Sequence, residues 1–173
     1  PILETPKPTP SSLTKTVVRN GTTIDTLGNT VQAWQEVDMF SDTVDATKAE
    51  QEATYLLKLK ADKKAQMKSK RKELNNEPVE VVVPSGDYII DADAQARSNL
   101  HQSIDNAEIA GLTDADTIAW KMNDDQFYTV TYAELKLMGL QIAQSIQGNF
   151  AHEATKNAEI DAADILTLDT IEW

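Results

Sequence analysis

The stretch IAWKMNDDQFYTVTYAELKLMG, residues 118–139, changes hydrophobic period halfway, and nothing else in the chain constrains the fold as strongly. Ile118, Trp120 and Met122 alternate, a polar tip of Asn123 to Gln126 follows, and Phe127 and Thr129 alternate again. A period of two is the strand signature. From Tyr132 the apolar residues recur at three and four: Leu135, Met138, Ile142, Ile146 and Phe150. That spacing lines one face of a helix, and Thr131 with Glu134 has the spacing of a capping box at its start. A hairpin running directly into a long helix must pack against something, because a two-stranded ribbon is marginal in water. The expected class is α+β and helix-rich, with Trp120, Phe127, Tyr132, Leu135, Met138, Ile142 and Trp173 in the core of a C-terminal domain.

The same logic partitions the remainder. VEVVVPSGDYII (79–90) reads as a second hairpin turning at Pro84-Ser85-Gly86. Asp91 or Asp93 then caps a helix to about 110, with Ala96, Leu100, Ile104 and Ala107 on one face and Gly111 as its stop. Upstream, a long helix over 45–76, capped by Asp45 and ended by Pro78, has its apolar residues mostly in its first half. So polar a helix is a spacer or one strand of a weak coiled coil. Residues 13–44 read as short β strands turning at Asn20-Gly21 and Gly28-Asn29. The compact domain is expected over 77–173, closing with a tail in which Ile165, Leu168, Ile171 and Trp173 fold back. Residues 1–12, PILETPKPTPSS, hold four prolines and cannot build a core. They form an extended arm whose Pro1, Ile2, Leu3, Pro6, Pro8 and Pro10 dock on another subunit or on the chain's own body. A start at proline, without methionine, reads as a processed native terminus.

Charge is unevenly spread. The net charge is −12, yet residues 58–72 carry eight cations against Asp62 alone. No aromatic residue is interleaved there for base stacking, and acids precede bases along the helix as its dipole favours. A solvated helix end is the preferred reading, docking on an acidic partner or sister subunit the next, and nucleic acid the last. The absence of cysteine excludes disulfides and thiolate metal sites. No apolar run long enough to span a membrane and no export leader is read.

Candidate chemistry is thin. Asp124 and Asp125 could be a carboxylate pair, but acid catalysis needs a pKa shifted by burial or a neighbour, and a hairpin tip offers neither. His101 and His152 lie on different helices with no metal-binding partner at helical spacing. Neither DNAEIAGLTDADT nor DAADILTLD has the full set of alternate ligands, mid-loop glycine and final glutamate that a calcium loop needs. The expectation is no enzyme, no cofactor and no metal.

The order of features from about residue 70 to 173 resembles the C-terminal domain of unknown function of small tailed-phage proteins associated with tails and tail fibres. The resemblance rests on Trp120, Asp124, Phe127, Thr131, Glu134, Leu135, Ile160, Ala162, Ala163, Asp169 and Trp173. It implies a structural protein of the virion tail (tail fibre, baseplate or fibre attachment) made in the bacterial cytoplasm. Its expected partners are other tail proteins and further copies of itself, a trimer among the forms allowed, with neither nucleic acid nor membrane. The alternative is a fibre-assembly chaperone that leaves the mature particle.

Overall fold

A computed structural model describes residues 2–173. Its described residues form three helices and six strands arranged as three two-stranded antiparallel sheets, an α+β fold. The strands are β1 (Lys15–Ile24), β2 (Thr30–Asp38), β3 (Val79–Val83), β4 (Gly86–Ile90), β5 (Thr117–Lys121) and β6 (Phe127–Thr131). The helices are α1 (Lys48–Leu74), α2 (Ala94–Ile109) and α3 (Tyr132–Ala162). The chain divides into two compact units, Pro1–Lys64 with Ala158–Glu172, and Ala65–Asn157 with Trp173. The division falls inside α1 and α3.

In the second unit the core is a single apolar cluster. Val81, Val83, Ile90, Leu100, Met122, Val130, Leu135, Met138 and Ile142 are all buried in it, with Trp120, Tyr128 and Ile146 packed partly buried around them. Strand alternation explains the choice. Val81 and Val83 of β3 point inward while Glu80 and Val82 face solvent. Leu135, Met138 and Ile142 follow at three and four along α3 and are at most 3% exposed.

Helix α3 starts where the sequence places it. Glu134 accepts from the Thr131 amide (2.8 Å) and hydroxyl (3.0 Å), and the Glu134 amide donates to the Thr131 hydroxyl (3.2 Å). The same carboxylate takes the Ser85 amide from the β3–β4 turn at 2.7 Å, so one buried acid ties that hairpin to the helix. The Thr131 amide, ahead of the opposing cost of burial and the further bonds from Ser85 and Thr131, holds its pKa below the usual value. Asp93, rather than Asp91, caps α2 through the amides of Gln95 and Ala96.

Three expectations are corrected. Helix α1 is capped by Thr47, whose hydroxyl takes the Glu50 amide while Glu50 takes the Thr47 amide; Asp45 lies two residues before the cap. Its buried residues are Met67 and Arg71, in the second half and not the first. Asn20-Gly21 is not a turn: β1 runs through it, with a bulge between Arg19 and Thr22 and Gly21 at φ 71°. Two residues there oppose one on β2, and glycine supplies the left-handed backbone such a bulge needs. The chain reverses instead over Asp25–Asn29, where the Asp25 carboxylate takes the amides of Leu27 and Asn29.

Phe127 is the third. It is 72% exposed. Directly opposed residues of an antiparallel pair share a face, and the register sets Trp120 opposite Tyr128 and Lys121 opposite Phe127. Inward Trp120 therefore brings Tyr128 inward and leaves Phe127 outside with Lys121. The Tyr128 ring packs against Tyr88 with centroids 5.1 Å apart.

Candidate functional site

The two aspartates of the β5–β6 tip act locally. Asp124 accepts the Gln126 amide (3.0 Å) and the Tyr128 hydroxyl (2.8 Å). These bonds, the Gln126 amide first, lower its pKa, the opposite of what a general acid requires. Asp125 adopts a left-handed φ of 64° and pairs with Lys121 at 2.5 Å. The pair shapes a bend.

His101 is exposed and lies 3.6 Å from Asp105 on its own helix. His152 packs against the Trp173 ring, centroids 4.8 Å apart, so the half-buried terminal tryptophan rests on α3 and not in the apolar cluster. In the two acidic stretches, Asp116 takes the Thr113 amide and hydroxyl, and Asp164 takes the Leu166 and Thr167 amides. Each carboxylate closes a turn. Among the described residues no group of three His, Cys, Asp or Glu could hold a metal ion.

The lysine-rich run is more than a solvated helix end. Within the first unit, Lys64 pairs with the Asp161 carboxylate at 2.7 Å and Lys60 donates to the Asp161 carbonyl at 2.8 Å. Within the second, the buried Arg71 donates to Glu153 and lays its guanidinium 4.0 Å from the Phe150 ring centre. Sequence reasoning missed this pair because its partners lie 82 residues apart. The one available signal was Phe150 at the end of the α3 stripe.

The arm lies on the chain's own first unit. Leu3 bridges Val31 in parallel, its amide donating to Thr30 (2.9 Å) and its carbonyl accepting from Gln32 (3.0 Å). The Thr5 hydroxyl accepts from the Trp34 indole at 2.9 Å, and Ser11 gives both its amide and hydroxyl to Glu36. Pro10 is half-buried, whereas Ile2, Leu3, Pro6 and Pro8 remain exposed; Pro1 lies outside the described residues. Of the two expected docking places, the structure has the arm on its own body.

Two concavities in the second unit border α2. One, of about 290 Å³, runs between α2 and α3 over Leu100, Ile104, Gly139, Ile142 and Ile146. Its basic rim is already engaged: Arg97 caps the carbonyls of Asn75 and Ala92, and Lys136 holds Asp114 at 2.5 Å. The other, of about 370 Å³, lies between α2 and β5 and is lined by Asp91, Ala96, Asn99, Ser103, residues 118–121 and Phe127.

The family model described as Domain of unknown function (DUF4376) matches residues 58–172. The chain belongs to this family. No curated protein and no solved structure matches it. The DUF4376 region opens at Lys58, inside the lysine-rich segment of α1, and so takes in more of the chain than the resemblance from residue 70 onward. Both the Arg71–Glu153 pair and the β5 cleft fall within it. No helix among the described residues is long and apolar enough to cross a membrane.

Proposed function

We propose that this DUF4376 protein is a structural component of a bacteriophage tail (a tail-fibre, baseplate or fibre-attachment subunit) that works by protein–protein assembly. One observation carries the assembly reading. In the first unit Val17, Val31, Ile160 and Leu168 are buried, while Ile24, Leu27, Val44, Leu57 and Leu166 are each more than two thirds exposed. A two-stranded ribbon with so small a core is marginal by itself and is stabilised by a partner that covers its exposed apolar side chains. The tail assignment is supported by the order of C-terminal motifs from Trp120 to Trp173.

Quantitative mass spectrometry of purified particles of the encoding phage tests it. A subunit is present at a fixed ratio to the other tail proteins. Absence from the particle, with fibres that fail to form when the gene is deleted, would replace the subunit by an assembly chaperone. Absence with intact, infectious particles would end the tail reading altogether.

A further inference from the structure

Strand β5 has one partner only. Among the described residues its sheet holds β5 and β6 and no third strand. In an antiparallel pair, alternate residues turn their main-chain groups toward the partner, and those between turn them away. The Met122 amide bonds Gln126 and the Tyr132 amide bonds Asp116, so the even-numbered residues of β5 face β6. Thr117, Ala119 and Lys121 face the other way. The next residue in that phase, Asn123, shows where the edge points: its amide donates to the Ile89 carbonyl of β4 at 3.0 Å. Asn123 also gives its side-chain amide to Asp91 at 2.6 Å. After Ile90 the chain leaves for α2, and the outward amides and carbonyls of Ala119 and Lys121 bond to no described residue.

The cleft of about 370 Å³ lies along this edge. Ile118, Ala119, Trp120 and Lys121 all line it. Successive side chains of a strand point to opposite faces, so four consecutive residues can border one cavity only where it follows the strand's edge. The opposite wall is one face of α2, made by Ala96, Asn99 and Ser103 at spacings of three and four. The gap thus has a row of main-chain donors and acceptors on one side and an amide and a hydroxyl on the other.

We infer that the cleft is a docking site for an extended peptide segment of a partner protein, added as a strand to the free edge of β5. The occupant is specified by the site. Main-chain groups alternating along an edge are matched by another extended backbone. An inserted strand would also turn its outer main-chain groups to Asn99 and Ser103, where they find partners instead of being buried unpaired. Phe127, exposed on the outer face with Lys121 and lining the same cleft, offers an apolar seat for one side chain. The residues of the segment that bond β5 cannot be proline. Elsewhere the chain guards an edge: its proline-bearing arm lies against β2, as strands are commonly blunted against unwanted pairing. At β5 no such cover exists among the described residues. The inference goes beyond the tail reading, because the occupant is set by its extended backbone, free of proline where it bonds β5, and not by a role in a tail; the peptide experiment and the particle experiment fail separately.

The test uses the full chain and a random decapeptide display library. Selected peptides are resynthesised with and without methylation of alternate backbone amides, and their affinities measured by calorimetry. Ala119→Pro is the decisive variant, since it removes an amide that faces away from β6 and leaves the β5–β6 ladder able to form. Ser103→Trp fills the cleft from the opposite wall. The expected result is saturable binding, weakened about tenfold or more by Ala119→Pro and by amide methylation in one phase only, which is the loss of one or two main-chain bonds. The Ala119 and Lys121 amides, followed by hydrogen exchange, become protected on binding. Peptides that bind equally to Ala119→Pro, no enrichment over Ser103→Trp, or a site that takes glycans and no peptide would each overturn the inference. Circular dichroism of both variants separates loss of binding from loss of fold.

Discussion

Arg71 shows how a single residue changes meaning once its surroundings are known. In sequence it is one of eight cations in a run that reads as a solvated helix end. In the fold its side chain is buried against Glu153 and Phe150. Removing one member of a buried ion pair strands the other charge in a poorly solvated place, which costs about 3–5 kcal/mol. Arg71→Met should therefore lower the stability of the second unit by that order in urea denaturation. Replacing both partners, as Arg71→Met with Glu153→Leu, should restore most of it, because a well-packed apolar pair is often as stable as the ion pair it replaces. A double-variant loss equal to the sum of the Arg71→Met and Glu153→Leu losses would show that the pair adds nothing. Residue-level signals that act within a few positions were legible in advance. The Thr131–Glu134 capping box is complete in four residues. Arg71 needed a partner on another helix, and Phe127 needed the strand register.

At the scale of elements, the hairpins and the two C-terminal helices follow from hydrophobic period and turn residues. The misplaced turn has a clear source. Asn20-Gly21 has the composition of a turn, but the bulge uses the same left-handed glycine inside a continuing strand, and only pairing with β2 distinguishes the two. The arm adds a prediction about pH. The Ser11 hydroxyl and amide, followed by Lys15, draw the Glu36 pKa down to about 2. A lowered carboxylate pKa contributes stability that is complete above the ordinary value of about 4.5 and disappears as pH falls toward 2. The Ser11 amide resonance should therefore hold its bonded position through pH 4 and move with a midpoint near pH 2, together with the Glu36 carboxyl carbon. A midpoint near 4.5 for both would mean that the arm is not held by this acid in solution.

For the whole molecule, the contrast between its two units is the functional argument. The second unit concentrates its buried apolar side chains in one cluster fed by β3, β4, α2, β5, β6 and α3. The first has a long ribbon, an arm laid along one edge and few buried side chains. That imbalance was foreshadowed by the sequence only in part: the lean pattern of 13–44 was visible, but not which of its apolar residues would be left outside. Ile24 and Leu27 sit at the far end of the β1–β2 ribbon, and Val44 lies in the connection to α1. If assembly is what this DUF4376 protein does, these are the side chains it covers. Hydroxyl-radical footprinting, read by mass spectrometry on the free protein and on assembled tails, measures that coverage residue by residue. The account predicts strong protection of Ile24, Leu27 and Val44 in the assembled state, with Val81 and Leu135 unreactive in both. Equal labelling of those three residues in the free and assembled protein would contradict it.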